Sequence, residues 1–257
     1  MIEDPFPGDW RALQKGVCRL FNDIGLSADI EVKLPTPRGH VVVDVYATDE
    51  KSVDNIKYIV ECKNWGSAIP KTVVHAFTTV MHETGANIGY IVSQHGLQLG
   101  AEDYTQHTNI TGLSYLALQE RYFSVWWQRY FCAIAASAAD SAHQYVEPFN
   151  SFRERIVATL DIAAQTQFRE LQVKYAPFVL LVQIMDIGRV IPQYISTQPL
   201  NLTLYKEKIG ELLGDPEFFK AMHYRELLTE ISSKLASIEE EFNDVFGRNI
   251  FLREKPN

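Results

Sequence analysis

Asp44, Glu61 and Lys63 are the side chains whose types and spacing could do chemistry. Asp44 lies in VVVDVYA (41–47) and the other two in IKYIVECK (56–63), apolar runs joined by the polar stretch TDEKSVDN. Runs rich in Val, Ile and Tyr on either side of a charged connection read as an antiparallel strand pair. Alternation then puts Asp44 on a face with Val42 and Tyr46, and Glu61 on a face with Ile59 and Lys63. A carboxylate in an apolar strand is costly without a partner, and two side by side repel. A divalent cation between them removes both costs, so the expectation is a hard metal ion held by Asp44 and Glu61, with Lys63 beside it. Glu-x-Lys alone carries little, because chance supplies about one such triplet in a chain this long. The bland alternative is a solvated sheet face carrying a weak surface ion pair.

The elements that must position these residues follow from periodicity. DWRALQKGVCRLFNDIG (9–25) has apolar residues at helical spacing, with Asp9 as N-cap and Gly25 as stop. ADIEVKL (28–34) alternates as a first strand, and PTPRGH turns into the strand pair. NWGSAIP is a loop whose Pro70 opens a helix over about 70–84. GYIVSQ (89–94) is a buried strand, LQLGAEDYTQHT a helix containing a glycine, and ITGLSYLAL a last strand. The order α-β-β-β-α-β-α-β implies an α/β (α+β) fold, a mixed sheet flanked by helices.

In combination, the first helix, the Asp-bearing strand, VECKNW, the Pro-started helix, GYIVSQ and the closing strand resemble the PD-(D/E)xK nuclease superfamily, and within it the Mrr-type restriction endonuclease domain. The resemblance covers about residues 9–118. It implies a restriction-endonuclease-like domain over 1–120 that hydrolyses DNA phosphodiester bonds with Mg²⁺, Mn²⁺ substituting. Asp44, Glu61 and the backbone carbonyl of Cys62 would be metal ligands, and Lys63 the catalytic lysine. Two carboxylates and a carbonyl suit magnesium, which keeps several waters. The family often has Glu on the first helix where this chain has Gln14, which can orient or hydrogen-bond but adds no negative charge. It often has Gln near the place of His75. Both departures bear on a second metal and on substrate contacts.

Other candidates are weaker. His75 and Lys71 could face substrate, although a solvated lysine is the plainer account of Lys71. The remaining histidines show no HxxxH or HxH spacing. Walker A, GxGxxG and GxSxG motifs are missing, which removes support for nucleotide hydrolysis and α/β-hydrolase chemistry. The three cysteines lack CxxC spacing, so neither a disulfide framework nor a zinc site is expected.

From residue 121 the pattern turns helical. RYFSVWWQRYFCAIAASAADSAHQYV, a helix running to Pro177, the apolar FVLLVQIMDIGRVI, and a last helix begun by Asp215–Pro216 and ended at Gly247 make a helical domain over 121–257. The aromatic group Tyr122, Phe123, Trp126, Trp127, Tyr130 and Phe131 could stack bases, but packing on the sheet is the plainer reading. Such an appendage suggests a homo-oligomer or docking of a partner protein such as an ATPase.

The net charge is −8, and residues 1–120 carry 9 Lys and Arg against 15 Asp and Glu. That argues against a general polyanion-binding surface. The acidic start lacks a signal-peptide core, and the apolar run PFVLLV is too short to span a bilayer. A cytoplasmic protein without membrane attachment is expected. The leading function is a Mg²⁺-dependent endonuclease of restriction or anti-phage defence, with RNA left open as substrate. The alternative is an inactive nuclease-fold scaffold that recruits a partner through its helices.

Overall fold

The computed structural model describes residues 1–189, 191, 199 and 201–252. It divides into two compact units, Met1–Arg129 and Tyr130–Asn257.

The first unit holds α1 (Trp10–Asp23), β1 (Ser27–Thr36), β2 (Gly39–Asp49), β3 (Ile56–Lys63), α2 (Lys71–Thr84), β4 (Ile88–Ser93), α3 (Leu99–Thr105), β5 (Ile110–Ser114) and α4 (Tyr115–Trp126). The strands form one mixed sheet in the order β1-β2-β3-β4-β5. β1, β2 and β3 are successively antiparallel, while β4 and β5 join parallel through the crossovers α2 and α3. The expected fold class, a restriction-endonuclease-like mixed sheet flanked by helices and followed by a helical region, is the one observed.

Alternation along the strands separates two cores. Toward α1, Phe21 meets the rings of Tyr58, Tyr90 and Tyr122 at 5.9, 6.3 and 5.6 Å. Toward α2, Ile59 and Ile91, the next residues along, pack with Val74, Phe77 and Met81. Each buried side chain of this size contributes roughly 1.5–3 kcal/mol. Gly16 lets α1 close on the start of α4, because a Cβ there would sit 2.5 Å from the hydroxyl of Tyr115. That hydroxyl in turn donates to Glu3 at 2.6 Å. Trp126 Nε1 donates to Asp23 at 2.9 Å, and Arg129 to the Ile24 carbonyl at 3.0 Å. Tyr122 and Trp126 of the aromatic group are thus packing residues.

The closing strand is shorter than the sequence suggests. ITGLSYLAL is strand only to Ser114, whose hydroxyl accepts from the backbone N–H of Ala117 and caps α4. An N-cap serine outweighs the β-propensity of the residues after it. The helix crosses residue 120, and the unit boundary falls inside a π-helical turn, Trp127–Phe131.

The second unit contains α5 (Cys132–Val146), α6 (Ser151–Val157), α7 (Ile162–Gln183), a 3₁₀ turn (Ile184–Arg189), α8 (Leu202–Glu211) and α9 (Tyr224–Phe246). Its core includes Tyr145 stacked on Phe242 at 5.0 Å and Phe168 against Phe242 at 5.6 Å. Two expectations are corrected here. Pro177 does not end a helix but lies within α7, and a separate break at 158–161 sets α6 apart from it. Asp215–Pro216 does not start α9, which begins at Tyr224, where Glu226 accepts from the backbone N–H of Met222 and His223 at 2.7 and 3.2 Å. Gly247 does end it, in the left-handed region. The end of the FVLLVQIMDIGRVI stretch lies outside the described residues. The stretch Ile162–Gly188 has the length and mean apolarity of a membrane-crossing helix by composition alone, a test that core helices of water-soluble proteins also pass.

Candidate active site

The site forms where β2 and β3 part. Their ladder runs from Asp49↔Ile56 to Val45↔Val60. One step further, at Asp44 and Glu61, side chain replaces ladder: Asp44 Oδ2 accepts the backbone N–H of Cys62 at 2.7 Å. Its other oxygen, Oδ1, accepts from Nε2 of Gln14 at 2.8 Å. Gln14 comes from α1 and is 1% exposed, so this donor is fixed.

The cause of Asp44's orientation lies on the neighbouring strand. The β1–β2 register passes from Ile30↔Val45 to Val32↔Val43 without pairing Glu31 and Asp44, and Glu31 has φ +53°. Sidedness slips at this point: Val43 and Tyr46, which strict alternation would separate, both pack in the α2 core. The expectation that Asp44 shares a face with Val42 and Tyr46 is therefore corrected, since Asp44 meets Gln14 of α1 instead. A left-handed residue in β1 resets the alternation in both strands.

Glu61 and Lys63 are two apart at the end of β3, and Lys63 Nζ lies 2.5 Å from Glu61 Oε1. Burial pulls the Lys63 ammonium down, but its hydrogen bond to Glu61 and the charges of Glu61 and then Asp44 outweigh this and raise it above the ordinary lysine value. Lys63 is thus cationic at neutral pH. Burial, then the charges of Asp44 and Glu61, push the Cys62 thiol well up, so it stays protonated. The idea that only a cation makes the two acids tolerable is also corrected. Asp44 has two N–H donors and Glu61 has Lys63, so each is compensated within the protein.

A cavity of about 350 Å³ opens here, lined by Gly8, Asp9, Trp10, Asp44, Cys62, Lys63, Asn64 and Trp65. Glu61 is not in its lining and reaches it through Lys63. Asp9 caps α1 by accepting from Ala12 N–H at 2.7 Å, which fixes the helix start at the cavity. Across the carboxyl ends of the parallel strands, Gln94 donates to Asn64 at 2.6 Å. The two following loops join where the Ile69 N–H donates to the Gly96 carbonyl and the Gln98 N–H to that of Ile69, each at 3.0 Å. Carboxyl ends of parallel strands are where open α/β sheets place their ligands.

The structure brings Gln14, Asp44, Cys62 and Lys63 together, with Glu61 attached through Lys63. It does not bring His75 or Lys71 to the cavity. Both sit on α2 against Tyr104, His75 with ring centroids 4.3 Å apart and Lys71 Nζ at 5.6 Å. Trp10, Asn64 and Trp65 were missed by sequence reasoning as site residues, although Asn64 and Trp65 directly follow ECK.

The donor set fits a hard divalent ion. Asp44, Glu61 and the Cys62 carbonyl are all oxygen donors, and each Asp44 oxygen keeps a lone pair beyond its N–H bond, while Glu61, outside the cavity lining and paired with Lys63, would have to turn from that partner to reach the ion. Among the described residues no group of three or more His, Cys, Asp and Glu converges, so most of such an ion's shell would be water.

Residues 8–121 match the family model of the Mrr catalytic domain, described as restriction endonuclease. No curated protein matches. A solved structure titled as a protein of unknown function, AF1548, aligns over 93% of this chain and 100% of its own. At 12% identity and a TM-score of 0.39, that likeness carries no weight. Residues 8–121 are thus a restriction endonuclease domain of the Mrr kind, a nuclease domain of the PD-(D/E)xK type.

Proposed function

We propose that this domain is a working nuclease that hydrolyses DNA phosphodiester bonds with Mg²⁺, Mn²⁺ substituting. The observation that carries the reading is Lys63, charged and held 2.5 Å from Glu61, in one cavity with an Asp44 fixed by two donors. Asp44, Glu61 and the Cys62 carbonyl would hold the ion. When bound, it supplies Lewis-acid polarisation of a phosphoryl oxygen and a hydroxide near neutral pH. Lys63 contributes a fixed ammonium at the scissile phosphate, where it offsets developing negative charge without reorganising. Gln14 and the Cys62 N–H keep the Asp44 oxygens aimed, and Glu61 keeps Lys63 in place.

Restriction or anti-phage defence in the cytoplasm is the role we assign. The helical unit is assigned to homo-oligomerisation or to docking a partner such as an ATPase. Nicking of supercoiled plasmid tests the activity. Conversion with Mg²⁺, and none in EDTA or with Lys63→Ala, is expected; equal conversion in all three arms means a contaminant and rejects the reading.

Two observations favour a second reading, an inactive nuclease-fold scaffold. Gln14 occupies a buried place where the family often has Glu, and both acids are already compensated by the protein. Calorimetric titration with Mn²⁺ separates the two: a site in the wild type that disappears in Asp44→Asn supports the enzyme, and no site in either supports the scaffold.

A further inference from the structure

Two tryptophans in the cavity are not needed by the chemistry above. Trp10 opens α1 and Trp65 lies in the loop after β3, yet both line the cavity that holds Asp44 and Lys63. They are 43% and 42% exposed, whereas Trp126 and Trp127 are buried to 0% and 2%. Each indole also has a cation near its face. The Arg11 guanidinium is 5.2 Å from the Trp10 ring centre, and Lys63 Nζ is 5.7 Å from that of Trp65. An aromatic face beside a cation, repeated from two distant segments, matches a nucleotide: the base stacks on the ring and the phosphate meets the cation.

Charge narrows the class of substrate. Proteins that hold duplex DNA by its backbone do so with many Lys and Arg. Residues 1–120 have only 9, against 15 Asp and Glu. Stacking must then supply a larger share of binding, and a base inside a duplex already has both faces stacked on its neighbours. An indole can take it only once it is unpaired.

We propose that Trp10 and Trp65 are nucleobase-stacking residues of this cavity, so that its substrate is DNA with unpaired nucleotides beside the scissile phosphate. This rests on the nuclease reading of the same cavity. Trp65 also holds Lys63 by its ring face, so its loss alone would confound stacking with displacement of the lysine. Trp10 and the aromatic replacement Trp65→Phe separate the two.

The test is binding of the full chain to a fluorescein-labelled oligodeoxynucleotide, followed by anisotropy with Ca²⁺ replacing Mg²⁺ and again in EDTA. The comparison strands are an abasic chain of equal length and the blunt duplex. Stacking is worth about 1–3 kcal/mol per base, so roughly tenfold tighter binding of the base-bearing strand is expected. Trp10→Ala should weaken that strand about tenfold and leave the abasic chain unchanged, while Trp10→Phe and Trp65→Phe stay within about threefold of wild type. Equal affinity for base-bearing and abasic strands, no binding of either in both buffers, or an equal effect of Trp10→Ala on both overturns the proposal. Parallel cleavage assays with Mg²⁺ keep the failures apart. A chain that binds unpaired bases but cuts nothing refutes the nuclease reading alone, and one that cuts but ignores the bases refutes the stacking alone.

Discussion

Nε2 of the buried Gln14 donates to Oδ1 of Asp44 at 2.8 Å, across 30 residues of sequence. The amide therefore orients the acid at the centre of the site rather than adding charge to it. This contact fixes how the first helix serves the sheet.

Gln14→Ala removes a buried donor, and the expected cost is about 1–3 kcal/mol in urea unfolding. Gln14→Glu sets a second carboxylate against Asp44. Its melting temperature should fall below wild type in EDTA and recover with Mn²⁺. Equal melting of wild type and Gln14→Glu in EDTA contradicts the assignment.

Glu31 stands at φ +53° opposite Asp44 in the register. A left-handed non-glycine residue costs about 1–2 kcal/mol, more for a β-branched one. Glu31→Gly should leave stability unchanged or raised, and Glu31→Val should lower it below wild type by the extra strain of a β-branched side chain. A stable Glu31→Val protein means that the alternation is reset elsewhere.

Gly16→Ala puts a methyl 2.5 Å from the Tyr115 hydroxyl. Relief requires Tyr115 to leave Glu3 or α1 to lift from α4. A loss of about 1–3 kcal/mol is expected despite the better helix propensity of alanine, and chemical denaturation measures it.

In the helical unit, the hydrogen bond from Arg169 holds Glu154 at a pKa of about 2, with Arg153 adding to it against burial. A lowered carboxylate pKa stabilises the fold above the unfolded value of 4.5, and the gain is lost as pH falls toward about 2. The Glu154 side chain is 40% exposed, so solvent screens much of the effect. Thermal unfolding of wild type against Glu154→Gln should show a gap above pH 4.5 that narrows toward pH 2. A gap independent of pH contradicts the ion-pair account.

The ECK strand was legible because apolar β-branched residues surround it, and so was the helix that carries Gln14, whose apolar spacing is regular. The orientation of Asp44 was not, because alternation assumes unbroken strand geometry and nothing in ADIEVKL marks Glu31 as left-handed. Ser114 shows another limit: a cap acts through one hydrogen bond, and SYLAL suits strand or helix until that bond is seen. Trp10 looked like one more apolar residue on a helical stripe. Only the meeting of the α1 start with the loop after β3 makes it a cavity residue.

Single-turnover cleavage of a labelled oligonucleotide with Mg²⁺ by wild type, Lys63→Ala, Asp44→Ala and the double variant tests the proposed catalytic centre most directly. Groups acting as a unit give large, non-additive losses. Each single change should therefore slow cleavage by at least about 100-fold, with the double variant little slower than either. Wild-type rates in either single variant, or losses that simply multiply, would contradict a shared site at Asp44 and Lys63.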